Sequence, residues 1–451
     1  MSEEVTLDDY ADSASEEDSE QPESRFWGTI PDGWELVDGT DVYDVNPNPK
    51  PDEEPNTYIE MDALDTELPW PRYFGERNAS EYSGKTFTAG DTLFARITPC
   101  TENGKAALVP EMDTKVGIGS TEYAVLSPKT ERINPWYLYY VGKSHSIHDY
   151  AVSRMRGSTG RQRVPFSVFR RELDVSLPPL EEQRRIATIL QNADRAVRKT
   201  REIIEQTKRV KRGVAQNLFH YGIDREDTKQ TWPGEIPESW DVVQFSEIVG
   251  SNRNGLYKSG DAYGEGYPIA KMGNALENRV LDMSSADRLE LTEEEKEKYG
   301  LREEDLIFAR RAQEVSAAGD CCYVPELDEL TVFESSLIRV RLTEDVNPRF
   351  YVQYFEGPVG SRSIERIVTE TSISGIATSD LLDLKVALPS LEEQNEIASI
   401  LWGFDEYVTA LQNEADQFIR FKKALLQDLL SGTVRTTNTN IEVPEEIEQH
   451  G

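Results

Sequence analysis

The feature that most constrains this chain is an internal duplication. Leu177–Leu190 (LPPLEEQRRIATIL) recurs as Leu388–Leu401 (LPSLEEQNEIASIL), with ten of fourteen positions identical at a separation of 211 residues. Gly28–Trp34 likewise recurs as Gly234–Trp240, and both segments follow the pattern Gly-x-Ile-Pro-x-x-Trp. The 451 residues therefore form two homologous halves that close with the same element, and the length suits two or three domains.

The closing element of each half is predicted to be one long helix. Apolar or small residues follow its Pro with alternating spacings of four and three, as in a coiled-coil seam, and each seam is interrupted by a lysine. An apolar face packed on its own domain is the alternative, and about five heptads favour a seam between two helices. The residues predicted to pair the helices are Ile186, Leu190, Val197, Ile204, Lys211 and Leu218, with Ile397, Leu401, Val408, Phe418, Lys422 and Leu429.

Charge indicates which helix each one pairs with. Residues 180–219 hold ten basic and five acidic side chains, whereas residues 391–430 hold three basic and eight acidic ones. The net charges of the two helices, +5 and -5, favour pairing within one chain. A twofold relation between the halves makes that pair antiparallel. A helix of about 40 residues spans about 60 Å, so the pair is expected to act as a spacer.

The globular parts are predicted to be α+β. Short β-rich runs such as residues 92–97 and 336–342 alternate with turns, and Asn134-Pro135 and Asn347-Pro348 look like helix starts. The predicted order is an acidic disordered tail (1–24), a first globular domain (25–176), a first spacer helix (177–222), a second globular domain (223–387), a second spacer helix (388–432) and a polar acidic tail (433–451).

No arrangement of residues predicts catalysis, a metal or a cofactor. His145 and His148 have the spacing of two zinc ligands but lack a second pair, and Gly84-Lys85-Thr86 ends like a phosphate-binding loop without its upstream glycine. We therefore expect a chain without catalytic residues, metal or cofactor. A single-chain DNA methyltransferase or nuclease, and a coiled-coil adaptor that binds only protein, remain the alternatives.

Basic side chains cluster inside the globular parts. Six arginines between residues 154 and 171 are interleaved with glycine and hydroxyl residues, a composition that suits close approach to phosphates and readout of base edges. Pairing with the abundant carboxylates is the alternative. The residues predicted to contact DNA are Arg96, Arg154, Arg156, Arg161, Gln162, Arg163, Lys271, Arg279, Arg310 and Arg311.

The overall charge speaks at first against a nucleic-acid partner. The chain has 83 acidic and 49 basic residues, a formal net charge of -34 and a pI near 4.6. A carboxylate-rich surface is also typical of adaptation to high salt, so we expect a halophilic prokaryote as the source. Three cysteines and the lack of a long apolar run indicate a reducing cytoplasm and no membrane span.

The repeated Leu-Pro-x-Leu-Glu-Glu-Gln motif, followed by a heptad helix that ends near Lys211–Leu218 and Lys422–Leu429, resembles the specificity subunit of type I restriction-modification systems. The Gly-x-Ile-Pro-x-x-Trp openings and the segments Gly90–Arg96 and Glu304–Arg310 belong to the same resemblance. It covers about residues 25–432, so the acidic tails depart from the family pattern.

The resemblance implies a non-catalytic subunit whose two recognition domains each read one half of an asymmetric, bipartite site in double-stranded DNA. It also implies that the paired helices set the gap between the halves and dock the methyltransferase (modification) subunits, two copies being expected. Restriction subunits would supply ATP-driven translocation and cleavage.

Overall fold

The computed structural model describes residues 22–51, 54–80, 83–158, 160–232, 234–276, 279–369, 374–437 and 439–448. Residues 1–21, which form most of the predicted N-terminal tail, lie outside this described part. The described chain is α+β and contains two long helices, in agreement with the predicted fold class. No described helix combines the length and the apolar composition needed to span a bilayer.

The first half consists of short strands and helices that end at the first long helix. Its strands are β1 (Glu23–Ser24), β2 (Gly28–Thr29), β3 (Glu35–Asp38), β4 (Tyr43–Val45), β5 (Asn56–Ile59), β6 (Gly75–Arg77), β7 (Lys85–Phe87), β8 (Thr92–Ala95), β9 (Ala106–Leu108), β10 (Gly117–Gly119), β11 (Tyr123–Pro128) and β12 (Asp174–Leu177). Its helices are α1 (Gly39–Val42), α2 (Pro135–Lys143), α3 (His145–Ser153), α4 (Phe166–Arg171) and α5 (Leu180–Tyr221).

The second half has a related element order with additional strands and helices. Its strands are β13 (Thr228–Gln230), β14 (Glu235–Pro237), β15 (Asp241–Gln244), β16 (Val249–Asn254), β17 (Tyr263–Ala270), β18 (Asp287–Leu289), β19 (Leu306–Ala309), β20 (Arg311–Ala312), β21 (Cys321–Tyr323), β22 (Val332–Phe333), β23 (Leu337–Leu342), β24 (Ser374–Gly375) and β25 (Lys385–Leu388). Its helices are α6 (Met272–Leu276), α7 (Glu293–Tyr299), α8 (Pro348–Glu356), α9 (Pro358–Glu365), α10 (Thr378–Leu382), α11 (Leu391–Leu430) and α12 (Glu445–Glu448).

Both halves are built on a sheet of the same topology. The strand order β4-β11-β8-β9 in the first half matches β16-β23-β19-β21 in the second, and every pairing in the two sheets is antiparallel. The last strand before each long helix returns to the start of its half, where β12 pairs with β3 and β25 pairs with β15. The closing strand of each half therefore ties the start of the long helix to the opening segment.

The central strand of each of these sheets is buried on both faces. Because strand side chains alternate, Phe94 of β8 packs in one core cluster and Leu93 in another. Phe308 and Ile307 of β19 divide in the same way. Helices α2 and α8 cover the face that carries Phe94 or Phe308, so the long helices and these short helices share one core in each half.

The predicted Asn-Pro helix starts are confirmed. Asn134 caps α2 by accepting hydrogen bonds from the N–H groups of Trp136 (3.0 Å) and Tyr137 (3.3 Å), with Pro135 in the first turn. Asn347 caps α8 in the same manner. Proline suits this position because the first helical N–H groups have no intrahelical acceptor.

The chain forms two compact units that cut across the predicted domains, because each long helix is shared between them. Unit 1 contains residues 1–201 and 413–451, and unit 2 contains residues 202–412. Unit 1 therefore holds the first half of α5 and the second half of α11. Unit 2 holds the remaining halves of the same helices.

In each unit the two helix segments run antiparallel, as predicted. In unit 1, Lys422 near the end of α11 donates to Asp194 near the start of α5 at 2.6 Å. In unit 2, Lys211 near the end of α5 donates to Asp405 near the start of α11 at 2.7 Å. The lysine that interrupts each heptad pattern thus forms an ion pair with an aspartate of the other long helix, and the two pairs are equivalent.

The heptad residues pack on the globular parts as well as on the other helix. Of the twelve predicted pairing residues all are buried except Leu218 and Phe418, which are half-buried. Ile186 and Leu190 belong to the core of the first sheet, together with Leu429, and Ile397 and Leu401 belong to that of the second. Among the described core clusters, one is made of helix residues alone: Ile204, Val408 and Leu411, with Ile203 beside them.

The described part of each predicted tail makes packing contacts in unit 1. Residues 23 and 24 form β1, and the buried Ser24 hydroxyl donates to Asp174 at 2.7 Å. At the other end, residues 439–448 pack on unit 1: Ile447 is buried in its core, and its carbonyl accepts from Asn134 at 2.9 Å. The acidic composition of residues 433–451 predicted a tail, but Val443 and Ile447, which lie among the glutamates, pack with the core of unit 1.

Candidate DNA interface and helix junctions

The predicted basic residues of the first half come together beside the end of β8. Arg156 and Arg163 form an isolated antiparallel bridge, and Ile97 pairs with Arg163. The Gln162 carbonyl accepts from Thr98, and Val164 donates to the Arg96 carbonyl at 2.8 Å. The backbone therefore brings Arg96, Arg156, Gln162 and Arg163 to one loop surface, with Arg161 in the same loop.

Two of these arginines share one carboxylate. Arg163 donates to Glu122 through Nε (2.9 Å) and Nη2 (2.8 Å), and Arg96 Nη1 lies 3.5 Å from the same group. Arg154 is held by Glu172 at 2.8 Å. Arg156 and Arg161 form no ion pair within the described residues, so they carry the free charge of this loop.

Three basic side chains lie close to the aromatic ring of Phe166. The Phe166 ring centroid lies 4.0 Å from the Arg96 guanidinium, 5.1 Å from Lys85 Nζ and 5.8 Å from the Arg170 guanidinium. Partial burial, with the nearby charges of Arg96 and Arg170, lowers the pKa of Lys85. Lys85 comes from β7, about eighty residues before Arg170, so no sequence signal joined it to the arginine run.

The predicted basic residues of the second half do not form a comparable cluster. Lys271 is paired with Asp287, and Arg279 binds Glu356 and, at 2.8 Å, Asp405 of α11. Arg310 donates to the Ser335 carbonyl at 3.3 Å, and Arg311 is exposed on β20. Lys271 and Arg279 thus pair with carboxylates, which was the alternative interpretation, and the DNA contacts of all four residues stay predictions.

The duplicated Leu-Glu-Glu-Gln motif forms a junction in unit 1 that the sequence did not reveal. Glu182 is buried and accepts the indole N–H of Trp34 at 3.0 Å. Its oxygens also accept from both Nε (2.9 Å) and Nη2 (3.0 Å) of Arg435 and from the Thr436 N–H (3.2 Å). The junction therefore joins the opening tryptophan, the start of α5 and the chain beyond α11.

An equivalent junction lies in unit 2. Glu393 accepts the indole N–H of Trp240 at 2.8 Å and the N–H of Ile223, just beyond α5, at 3.1 Å. The glutamine that follows each glutamate is also used: Gln183 accepts from the Asn134 N–H and Gln394 from the Asn347 N–H, both at 2.8 Å. Both copies of the motif thus attach their globular region to a helix start.

The histidines singled out by their spacing both contact the carboxylate of Asp149, and His148 Nδ1 lies 3.2 Å from it. His145 lies 3.0 Å from Asp149, and His148 contacts the Thr101 carbonyl at 2.9 Å. Within the described residues no group of three or more His, Cys, Asp or Glu side chains is arranged to hold a metal ion.

The comparison with known proteins agrees with this repeated architecture. The profile of the type I restriction modification DNA specificity domain matches residues 31–209 and again residues 237–419. Because the two matches cover most of the chain, it belongs to this family.

One similar protein, from Methanocaldococcus jannaschii, is named as the specificity subunit of the type I restriction enzyme MjaX. It is 27% identical over 433 residues, which are 90% of this chain and 95% of the relative. A solved chain from work on assembly and conformational transition of a type I restriction-modification system has a TM-score of 0.55 at 20% identity, with 90% of this chain and 100% of that one covered. The type I S subunit from M. genitalium gives 0.52 at 13% identity over 91% and 99% of the two chains. Both likenesses support the fold.

The cluster around Phe166 generates a test. Replacing Lys85 and Arg170 with alanine should weaken DNA binding by the assembled complex irrespective of base sequence, because both cations lack an acidic partner in the described residues. We expect the slope of log K against log salt to fall by about 2. The control is Arg288→Ala, since Arg288 already donates to both oxygens of Glu329 at 2.8 and 2.6 Å. An unchanged slope in the double variant would contradict a phosphate-binding role.

Proposed function

We propose that this chain is the sequence-specific DNA-binding subunit of a type I restriction-modification complex. The observation that carries the proposal is the duplication of the specificity domain along one chain, with two globular regions of the same topology attached to antiparallel helices. Each region reads one part of a bipartite site.

Differences between the two globular regions support a DNA target whose two parts differ in base sequence. They share strand order and junction chemistry, but their basic residues differ: the first gathers Lys85, Arg96 and Arg170 around one ring, whereas the second pairs Lys271 and Arg279 with carboxylates. The same scaffold with different surfaces recognises different bases. Residues 25–176 and 223–387 are proposed as the two recognition domains.

The chain itself performs no chemistry in this proposal. Modification subunits supply adenine methylation and the methyl-donor site, and restriction subunits supply translocation and cleavage. The rivals are a single-chain methyltransferase or nuclease and a protein adaptor that does not bind DNA.

The first test is a footprint of the complex with its modification subunit. We expect protection of two short blocks separated by a fixed gap, with methyl transfer only when both proteins are present. The chain without its partner, incubated with DNA and methyl donor, is the control and should give no turnover. One continuous protected site would exclude two separate readers, and turnover by the chain alone would favour the single-chain enzyme.

A second heptad stripe on the outer side of α11 supports docking of the modification subunits. It includes Ile400 (38% exposed), Gly403, Tyr407 (52% exposed) and Ala410. A Cβ added at Gly403 would meet nothing within 4 Å, so a partner helix can approach closely there. On α5, Val210 (55% exposed) is a further exposed apolar side chain. Exposed apolar side chains at this spacing are typical of a helix-binding face.

The exposed apolar residues named above all lie in unit 2, and the proposal of two modification subunits rests on the presence of segments of both helices in each unit. The charge beside these apolar residues differs between the helices, with Glu396 and Glu406 near the α11 stripe and Arg209 next to Val210 on α5. The proposal that the two helices form a coiled-coil spacer rests on the heptad pattern of the twelve residues predicted to pair them.

Replacing Tyr407 with glutamate should weaken binding of the modification subunit at least about tenfold, because a charge replaces an exposed aromatic anchor. The matched control is Tyr257→Glu, since Tyr257 is 82% exposed on the second globular region rather than on a helix. Calorimetric titration with the modification subunit measures both variants. Equal affinities for the two variants would exclude this stripe as the docking face.

We also propose that the chain works in the salt-rich cytoplasm of a halophilic prokaryote. A net charge of -34 on a DNA-binding protein supports this, since about 1 M salt reduces the Debye length to about 3 Å and screens self-repulsion. Recognition then depends on short-range contacts and on two tethered domains that bind together.

The salt proposal predicts loss of native circular dichroism or of assembly with the modification subunit when the protein is diluted from molar potassium chloride into low salt. Fewer screening ions leave the carboxylates in mutual repulsion. Full structure and full DNA binding at low salt would contradict it.

A further inference from the structure

The two glutamate junctions differ in the residues that complete them. In unit 2, Glu393 accepts from the Ile223 N–H, and Ile223 lies on the segment that runs from α5 directly into the second globular region. In unit 1, Glu182 accepts from Arg435 and Thr436, which lie beyond α11 on a segment that does not continue into the first region. The end of α11 is therefore joined to the first region by non-covalent contacts alone.

Arg435 makes these contacts specific. Its guanidinium binds Glu182 through two nitrogens, donates to the Asp32 carbonyl at 3.1 Å and lies 5.3 Å from the Trp34 ring centroid. A bidentate guanidinium–carboxylate pair restricts the relative orientation of its partners as well as their distance. Burial tends to raise the pKa of Glu182, but hydrogen bonds from Arg435, Trp34 and the Thr436 N–H lower it overall, so the pair is ionic at neutral pH.

The same C-terminal segment is anchored a second time on unit 1. Arg195 of α5 contacts Glu446 at 2.5 Å, and Gln191 donates to the same carboxylate. The buried Ile447 and its hydrogen bond from Asn134 complete this anchor. The segment is thus held independently of Arg435, so a change at Arg435 alters the junction without releasing the whole C-terminus.

We infer that the Glu182–Arg435 contact is a latch that positions the first recognition domain against the helix ends and thereby sets how strictly the complex discriminates the gap between its two DNA blocks. This inference rests on the proposed function. Arg435 is a positioning residue: it touches no base in this scheme, and it acts through the opening segment at Trp34.

Loss of the latch is expected to change the preference for gap length without changing the preference for bases. A domain that can tilt at its junction still presents the same base-reading surface, so its preference for its own block is retained. The distance over which the two blocks can be bound together becomes less restricted. In the second region the covalent segment limits such tilting, which makes the first block the one whose position is controlled.

The test measures DNA binding by the full complex with duplexes that keep both blocks and change the gap by one or two base pairs. We expect Arg435→Gln to reduce the preference for the natural gap about tenfold, the size of effect expected from loss of one charge-assisted pair. Preference for the correct bases within each block should stay unchanged. Arg435→Lys, which keeps the charge but lacks the fork, should give an intermediate gap preference and guards against a folding defect in Arg435→Gln.

Arg132→Gln is the control, because Arg132 belongs to the same unit and forms an exposed pair with Glu35 at 2.9 Å. It should keep the wild-type gap preference. The latch is refuted if Arg435→Gln retains that preference, or if it alters base preference as much as gap preference. Failure of the wild-type complex to bind two separated blocks would instead refute the proposed function.

Discussion

The hydrogen bonds of one glutamate in each half determine how the rest of the structure is joined. Glu182 and Glu393 occupy the first turn of α5 and α11, where unpaired N–H groups and the helix dipole favour a negative charge. Glu182 is buried and Glu393 half-buried, and a carboxylate removed from water is stable only when its oxygens are hydrogen-bonded. The donors are tryptophans 148 and 153 residues away in sequence. This requirement joins the opening segment, the closing helix and the end of the other helix.

The lysines within the heptad patterns have a similar consequence for register. Lys211 and Lys422 each reach an aspartate on the opposite helix, and removing that aspartate would take from a buried lysine its shortest ion pair. Burial, with the nearby Arg279 charge, lowers the pKa of Lys211 to about 8, so its ammonium form depends on Asp405. A shift of one helix along the other would separate both pairs. Polar residues at seam positions therefore select one antiparallel alignment where apolar residues alone would tolerate several.

Local patterns predicted much of this fold. The duplication, both long helices, their antiparallel pairing and the Asn-Pro helix starts depend on periodicity, charge and capping, which are encoded within short stretches of sequence. The junctions, the contribution of Lys85 to the cluster around Phe166 and the packing of Ile447 depend on residues far apart in the chain. Their types are common, and a lone lysine or isoleucine carries no sign of its distant partner. At the C-terminus the acidic composition led to the prediction of a tail, because glutamates surround Val443 and Ile447, the two apolar side chains that pack.

In the proposed salt-rich cytoplasm, the acidic composition and the proposed DNA-binding surface are compatible because charge acts locally at high ionic strength. Glu122 lies between Arg96 and Arg163 and holds both side chains in place, while Lys85 and Arg170 share an aromatic ring without an acidic partner in the described residues. Over a Debye length of about 3 Å, carboxylates elsewhere on the molecule contribute little to the potential at this surface. A phosphate at this proposed surface would meet the arrangement of a few nearby cations. Under the two proposals, the net charge of the chain bears on its solubility in salt, and the geometry around Phe166 bears on its contact with DNA.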